Sequence, residues 1–226
     1  MSTSPQLFAH RGLHHPFSPH PESSFDSYRA AIDAGADGVE CDIRLTQDGH
    51  LVVWHDATLE RIAQSPLRIS RSTLDQLREV WPILTLEELL DLTIAERKNI
   101  AIETKHPVRF GQRVERDLSK LLKRKHAAIK ASGIDIYLMS FSWWATSYNA
   151  QAPYMATYLV RSRRLMFLAR FLTAGLNIEI LRSGFIPSDP STTLVWTVND
   201  EADIKLCKSL GVHVIITDDL RLAQSA

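Results

Sequence analysis

The sequence contains little cysteine and no long apolar run. Its 226 residues include two cysteines, Cys41 and Cys207, each within an apolar segment, which predicts buried thiols rather than a disulfide framework. No stretch approaches the roughly 18 consecutive apolar residues that a transmembrane helix requires. The opening residues lack the cationic and apolar segments of a signal peptide. We therefore expect a cytoplasmic protein with no transmembrane segment.

The sequence also lacks an excess of charge of either sign. Its 26 lysine and arginine residues balance 26 aspartate and glutamate residues, so the formal net charge is zero. A nucleic-acid-binding domain usually carries a basic excess, and we therefore expect no nucleic-acid partner. A local cationic pocket for one phosphate group is compatible with this balance. The length fits a single domain over residues 1–226, because two ordinary domains need a longer chain.

Short apolar runs rich in β-branched residues recur along the whole chain and predict strands. They begin at Gln6, Gly38, His50, Asn99, Ile136, Tyr154, Leu176, Leu194 and Val212. Helical patterns lie between several of them, over residues 24–34, 85–92, 113–132 and 201–210. Strands that alternate with helices indicate parallel βαβ units and an α/β fold. Eight such strands would close a TIM-type (β/α)8 barrel, whose typical length of about 250 residues is close to that of this chain.

One of these runs, HLVVWH from His50, is better explained as an arm of a hairpin. The link from Ile43 to Leu51 is shorter than a parallel crossover, and it contains the turn pair Asp48-Gly49. We therefore predict a hairpin on the second strand, followed by a short insertion. The Pro- and Ser-rich residues 182–193 predict no regular helix, so the outer helix layer should be incomplete before the seventh barrel strand.

Two carboxylates in the second strand suggest a metal site. Glu40 and Asp42 lie two residues apart, so their side chains share one face of the strand, with Cys41 on the other. In a barrel that face is the interior, and active sites lie at the carboxyl ends of the strands. Glu103 and Lys105 repeat this spacing on the strand NIAIET. Three carboxylates favour one Mg2+ or Ca2+ ion; the alternative is a set of surface acids paired with lysine or arginine.

Two histidines and an arginine should lie near these acids. His10 ends the first strand and Arg11 follows it, while His55 ends the return arm of the hairpin. Imidazole titrates near neutral pH, so one histidine could accept a proton from the nucleophile while the other protonates the leaving oxygen. Arg11 and Lys105 could bind phosphate oxygens. The alternatives are structural histidines and salt bridges to the acids.

Several strings, in family order over nearly the whole chain, resemble the glycerophosphodiester phosphodiesterase family. They are AHRG at residues 9–12, residues 20–61, AIETK at residues 101–105, SF at residues 140–141, VWTVND at residues 195–200 and residues 211–219. The resemblance implies a TIM-type barrel with a small segment inserted after the first hairpin. It also implies hydrolysis of glycerophosphodiesters to sn-glycerol 3-phosphate and an alcohol.

The same resemblance implies roles for individual residues. It assigns acid–base catalysis to His10 and His55, one divalent cation (Mg2+ or Ca2+) to Glu40, Asp42 and Glu103, phosphate contacts to Arg11 and Lys105, and a position near the substrate to Trp196. The chain departs from the family pattern where Pro-Glu-Asn-Thr reads PESS at residues 21–24. Ser23 or Ser24 can still cap the following helix, so the fold should be kept.

The resemblance leaves the substrate open, because the insertion is short and a helix before VWTVND is missing, which would widen the pocket. A small soluble glycerophosphodiester is the first candidate partner. Phospholipase D-like hydrolysis of lysophospholipids, or a phospholipase C-like reaction, is the alternative within the same chemistry. A non-catalytic phosphodiester-binding module would require the loss of a site residue, and none of the predicted ones is lost.

The segment at residues 161–172, RSRRLMFLARFL, is both basic and apolar. One interpretation is an arginine-bearing loop followed by a helix that packs Leu165, Phe167, Leu168 and Phe171 on the barrel. The other is a weak contact with a membrane surface, because basic amphipathic segments bind anionic lipid. Trp143 and Trp144 follow the strand at Ile136 and should lie at the active-site end, lining the pocket or packing.

Overall fold

The structure, a computed structural model, describes residues 4–106, 111–169 and 173–226. Its strands are β1 (Gln6–His10), β2 (Gly38–Leu45), β3 (Leu51–Val53), β4 (Asn99–Thr104), β5 (Ile136–Ser140), β6 (Met155–Val160), β7 (Thr173–Asn177), β8 (Leu194–Trp196) and β9 (Val214–Thr217). In the sheet the order is β1-β9-β8-β7-β6-β5-β4-β2, and β1 also pairs with β2, so eight parallel strands close a barrel. β3 runs antiparallel to β2 as the return arm of a hairpin. The predicted TIM-type barrel with a hairpin on its second strand is confirmed.

The interior of the barrel is filled by side chains from alternate strand positions. One buried cluster there contains Phe8, Ala101, Tyr137, Met139, Leu159, Leu194, Val214 and Ile216. Gly38 leaves room for the aromatic ring of Phe8, because a Cβ atom at this position would lie 2.6 Å from the ring carbons. Alternation along β2 then places Glu40 and Asp42 on the same inner face as Gly38. The packing of the barrel interior thus fixes which way the acidic residues point.

Helices cover the outside of the barrel. They are α1 (Phe25–Asp33), α2 (Glu60–Ala63), α3 (Leu74–Arg78), α4 (Leu86–Ala95), α5 (Arg113–Ser132), α6 (Trp143–Asn149), α7 (Met166–Ala169), α8 (Ile178–Arg182), α9 (Glu201–Leu210) and α10 (Leu220–Ser225), with 3-10 turns at Ile69–Arg71, Arg163–Leu165 and Pro190–Thr192. The predicted helices over 113–132 and 201–210 are confirmed, and both end at a glycine in the left-handed conformation. No helix of the described residues is long and apolar enough to cross a membrane. Cys41 and Cys207 are buried free thiols, as predicted.

Two helices begin with a side-chain cap, and the cap of α1 was expected from the sequence. Ser24 caps α1 by accepting the backbone N–H of Ser27 at 3.1 Å. Thr85 caps α4, where Glu88 reaches back to the N–H of Thr85 and completes a capping box. The family's Asn-Thr pair is therefore replaced in this chain without loss of the cap on α1.

The short insertion after the hairpin has a small core of its own. This core contains Val52, Trp54, Leu59, Ile69, Leu74, Leu77 and Ile83. The indole N–H of Trp54 donates to the carbonyl oxygen of Thr58 at 2.9 Å. The insertion therefore holds both ends of the loop that carries His55 and Asp56.

The prediction of a strand over LNIEIL is wrong beyond its first two residues. β7 ends at Asn177, whose side chain accepts the backbone N–H of Glu179 at 2.9 Å and caps α8. Ile178 and Ile180 are buried on this short helix. The apolar residues fit a strand period as well as a helix period, and the asparagine cap decides between the two. The short α8, followed by a loop with one 3-10 turn, agrees with the predicted incomplete outer layer before β8, the seventh barrel strand.

The segment at residues 161–172 does not form the predicted barrel-packing helix within the described residues. α7 has four residues, too few to present a continuous apolar face. Phe167 is 64% exposed and Leu165 is 37% exposed, so the predicted packing is wrong for Phe167 and at most partial for Leu165. Phe171 and the side chain of Leu168 lie outside the described residues.

Candidate active site

Strand register brings the predicted acidic residues together at the carboxyl end of the barrel. Glu40 of β2 lies opposite His10 of β1, and Asp42 lies opposite Glu103 of β4. One carboxylate oxygen from each of the three acids lies within 4.8 Å of the others, and all three residues are buried. The predicted convergence of Glu40, Asp42 and Glu103 is confirmed.

Burial, mutual repulsion and neighbouring cations give the three carboxyl groups different pKa values. Burial, followed by the charge of Asp42, raises the pKa of Glu40 well above its ordinary value. The same two causes raise the pKa of Glu103 to about 7. Burial also opposes the ionisation of Asp42, but Lys105 and Arg11 outweigh it and lower the pKa of Asp42 to about 2. Three acids crowded in one buried space hold their protons unless positive charge is supplied.

Two cationic side chains contact Asp42. The Nζ atom of Lys105 lies 2.8 Å from Oδ1 of Asp42 and 2.8 Å from Oε1 of Glu103. The Nε atom of Arg11 lies 3.0 Å from Oδ2 of Asp42, and its Nη1 donates to Oε1 of Glu22 at 3.0 Å. The acids therefore do form salt bridges with lysine and arginine, but in a buried cluster rather than on the surface.

The acid cluster fits a hard divalent cation. Both carboxylate oxygens of Asp42 are buried, yet neither accepts a hydrogen bond of good geometry within the described part of the chain. The short contacts to Lys105 and Arg11 are therefore ion pairs with poor hydrogen-bond angles. Carboxylate oxygens from three neighbouring side chains, including the two unsatisfied oxygens of Asp42, are the donor set that Mg2+ and Ca2+ take in proteins.

Each of the two candidate acid–base histidines, His10 and His55, is held by a carboxylate through the same ring nitrogen. Nδ1 of His10 lies 2.7 Å from Oδ1 of Asp218, and Nδ1 of His55 lies 2.7 Å from Oδ1 of Asp56. An ionised carboxylate can only accept, so Nδ1 carries the proton in both rings. The Nε2 atoms are left for other chemistry, and that of His10 lies 3.8 Å from Oε2 of Glu40.

The environment of His55 favours its neutral form. Burial, followed by the positive charges of Lys105 and Arg11, lowers the pKa of His55, against the opposing effect of Asp42. A histidine that is neutral at physiological pH can accept a proton through its free Nε2 atom. The carboxylate of Asp56 fixes the tautomer that this requires.

Sequence reasoning missed four residues that hold this site in place. Asp218 and Asp56 orient the histidines, while Glu22 accepts hydrogen bonds from both Arg11 and Arg61. Arg61 also donates to Asp56 at 2.6 Å, so it links the two sides of the pocket. A signal existed for Asp218, which directly follows the carboxyl end of β9, the strand that pairs with β1.

Trp196 lies on the other side of the barrel. Its indole N–H donates to the carbonyl oxygen of Gly175 at 3.0 Å. Its ring meets that of Phe141 edge to face, with ring centres 5.2 Å apart. Its half-buried place on β8 lines the interior near the carboxyl end of the strands.

The raised pKa of Glu103 predicts a pH-dependent stability of the metal-free protein. The ordinary glutamate pKa is 4.5, against about 7 in the folded chain. Between these values the folded state binds a proton that the unfolded state has released, so stability falls as pH rises from about 5 to about 7. We expect Glu103→Gln to flatten this decline, because glutamine keeps the shape and carries no charge.

Urea unfolding in the presence of a chelator, at pH 5 and pH 8, measures this effect. The matched control is Glu79→Gln, because Glu79 is an exposed glutamate. This variant should lose stability with rising pH to the same extent as the parent protein. An equal decline in the Glu103→Gln variant would contradict the electrostatic account of the cluster.

Acidic, basic and cationic side chains at one end of a closed parallel barrel are typical of a hydrolytic enzyme with this fold. A family model described as "Glycerophosphoryl diester phosphodiesterase family" matches residues 10–165. Probable glycerophosphodiester phosphodiesterase 1 of Mycobacterium tuberculosis is 34% identical, over 94% of this chain and 89% of that protein. The glycerophosphodiester phosphodiesterase of Caldanaerobacter subterraneus is 25% identical, over 88% of this chain and 89% of its own.

Solved structures show the same fold. The glycerophosphodiester phosphodiesterase of Thermotoga maritima matches with a TM-score of 0.75 and 22% identity, over 99% of this chain and 98% of that chain. A phosphodiesterase of Oleispira antarctica, solved in complex with the product sn-glycerol-3-phosphate, matches with a TM-score of 0.77 and 21% identity, over 98% of this chain and 96% of that chain. The chain belongs to the glycerophosphoryl diester phosphodiesterase family and is an enzyme of the phosphodiester hydrolase class.

Proposed function

We propose that this protein hydrolyses glycerophosphodiesters to sn-glycerol 3-phosphate and an alcohol with the help of one divalent cation. The observation that carries the proposal is the geometry of the site. Three buried carboxylates converge within 4.8 Å, beside two histidines whose Nδ1 atoms are each held at 2.7 Å by a carboxylate. The family relation supports the same reaction, and the Oleispira antarctica relative binds sn-glycerol-3-phosphate.

Glu40, Asp42 and Glu103 would hold the cation, which is Mg2+ or Ca2+ in this proposal. When bound, the cation supplies a Lewis acid for a phosphate oxygen and neutralises the crowded carboxylates. Arg11 and Lys105 pair with Asp42 in the structure. Once the oxygens of Asp42 have another positive partner, both side chains can turn to the oxygens of the phosphodiester, Arg11 as a planar donor and Lys105 as a point charge.

The two histidines would share the proton transfers. His55 fits the role of general base, because its pKa is lowered and its Nε2 atom is free. His10, whose Nδ1 proton is held by Asp218, would carry a second proton on Nε2 as a charged ring that Asp218 stabilises. It becomes neutral when the Nε2 proton passes to the leaving oxygen. In this scheme a new P–O bond forms to the nucleophile, and the bond from phosphorus to the alcohol oxygen breaks.

The nucleophile is either water or the neighbouring hydroxyl of the glycerol. The second route gives a cyclic phosphate that water later opens. Rapid quenching of the reaction distinguishes the two routes, because only the second accumulates a cyclic product at short times.

Hydrolysis of lysophospholipids is a second candidate function. The observation in its favour is the exposure of large apolar side chains after β5 and β6, of which Trp144 is 71% exposed and Phe167 is 64% exposed. Such side chains near the mouth of the barrel suit a substrate with an acyl chain.

An assay of three substrates tests the proposal. Glycerophosphocholine, glycerophosphoethanolamine and lysophosphatidylcholine are each incubated with the protein and Mg2+, Ca2+ or a chelator. We expect release of sn-glycerol 3-phosphate from the first two, with either cation and not with the chelator. If the folded protein released no sn-glycerol 3-phosphate with either cation, the proposed reaction would be wrong; release of choline from lysophosphatidylcholine alone would favour the second candidate.

A further inference from the structure

Four large apolar side chains project into solvent beside the barrel mouth. Trp143 and Trp144 begin α6, directly after β5, while Leu165 and Phe167 follow β6. Their exposed fractions are 39%, 71%, 37% and 64% respectively. β5 and β6 are paired neighbours, so the two pairs of side chains lie at adjacent strand ends. We call these four residues the aromatic rim.

The surroundings of the aromatic rim are cationic, although the chain as a whole is neutral. Residues 136–178 contain no aspartate or glutamate and include four arginines. Three of these, Arg161, Arg163 and Arg164, are exposed. Within the described residues none of the three forms an ion pair with a carboxylate. Their charge is therefore available to an external partner.

Two of the three arginines lie over aromatic rings rather than beside acids. The guanidinium of Arg161 lies 4.0 Å from the centre of the Phe141 ring, and Phe141 in turn contacts Trp196 in the barrel interior. The guanidinium of Arg163 lies 5.7 Å from the centre of the Phe185 ring. This arrangement keeps positive charge at the outer edge of the barrel mouth, next to the aromatic rim.

We infer that the aromatic rim docks this enzyme on the surface of an anionic lipid membrane. Tryptophan and phenylalanine partition into the boundary between head groups and acyl chains, and an anionic leaflet attracts unpaired arginines. The combination of exposed aromatic side chains with unopposed positive charge matches a lipid surface better than an apolar protein partner, which would leave the arginines unpaired. The inference goes beyond the proposed function, because docking does not require any particular reaction at the site.

Binding to lipid vesicles tests the inference. The full chain is sedimented with vesicles of phosphatidylcholine alone or of phosphatidylcholine mixed with phosphatidylglycerol. We expect binding to the mixed vesicles, little binding to phosphatidylcholine, and weakening by salt. Each arginine near an anionic surface strengthens binding about fivefold, so Arg163→Gln with Arg164→Gln should weaken it by about 25-fold. Trp144→Ser with Phe167→Ser should also weaken binding to the mixed vesicles by at least about tenfold.

Matched controls separate the aromatic rim from general charge and apolarity. Lys123→Gln with Lys130→Gln removes two exposed cations of α5, and Phe25→Ser with Val80→Ser removes two apolar side chains that are 45% and 42% exposed. Both double variants should bind as the parent protein does. Equal binding to both kinds of vesicle, or no binding at low salt, would overturn the inference. A concentration-dependent dimer in sedimentation velocity that the Trp144→Ser and Phe167→Ser double variant loses would also overturn it, in favour of self-association.

Discussion

Replacing His10 or His55 by alanine is expected to reduce kcat on glycerophosphocholine by about 10²–10⁴, the usual contribution of general acid–base catalysis. The expectation follows from the free Nε2 atom of each ring, since both Nδ1 atoms are occupied by Asp218 and Asp56. Steady-state kinetics at saturating cation and substrate measure the loss. The cation-dependent increase in thermal stability should persist in both variants, because the histidines are not placed among the cation ligands.

The control for this prediction is His126→Ala, which changes an exposed histidine on α5 and should leave kcat near the parental value. The pH dependence gives an independent check. A base must be deprotonated to act, and the pKa of His55 is lowered. The apparent pKa of the acidic limb of the kcat/KM profile should therefore lie below the ordinary imidazole value of about 6.5. Unchanged turnover in either alanine variant would remove that histidine from the mechanism.

Removing the cation, or its central ligand, is expected to have an equally large effect. A chelator should reduce activity to background, and Mg2+ or Ca2+ should restore it. Asp42→Asn should weaken cation binding strongly, since Asp42 is the acid whose pKa is lowered to about 2 and which therefore carries full charge. In the parent protein, cation at about 100 times its dissociation constant should stabilise the fold by about 2.7 kcal/mol, a rise in Tm of about 5–10 °C for a chain of this size.

Thermal unfolding with and without cation gives a readout that is independent of activity. Asp42→Asn and Glu103→Gln should each lose most of the rise in Tm, while Asp33→Asn, a change of an exposed aspartate at the end of α1, should keep it. Full activity in the presence of excess chelator, or an undiminished rise in Tm for both cluster variants, would show that the cation does not bind at the three acids.

The barrel itself could be predicted from local patterns. Helices over 113–132 and 201–210 were indicated by an apolar stripe that ends in Gly133 or Gly211. The hairpin was indicated by a turn pair and by a link too short for a crossover. These signals are local because caps and turns depend on a few consecutive residues. Where the local pattern fitted two periods, as in LNIEIL, the prediction of a strand was wrong.

The acids of the site could be predicted, but the residues that hold the histidines were missed. Glu40 and Asp42 share a face through the two-residue repeat of a strand, which is visible in the sequence. Asp218 lies 208 residues from His10 along the chain, and only the closure of the barrel by β9 against β1 brings them together. Glu22, in the loop before α1, contacts Arg61 of α2 only in the folded chain, and no repeat or spacing in the sequence indicates this contact.

By itself, the sequence determined the βαβ order, the hairpin, and the face of β2 that carries the carboxylates, because each depends on periodicity or turn chemistry over short distances. Only the tertiary structure decided that the three acids are deeply buried and that Lys105 and Arg11 both pair with Asp42. It also decided which ring nitrogen of each histidine is free, and that Trp144 and Phe167 face solvent. These properties depend on strand register, barrel closure and burial, which arise from contacts between residues far apart in the chain.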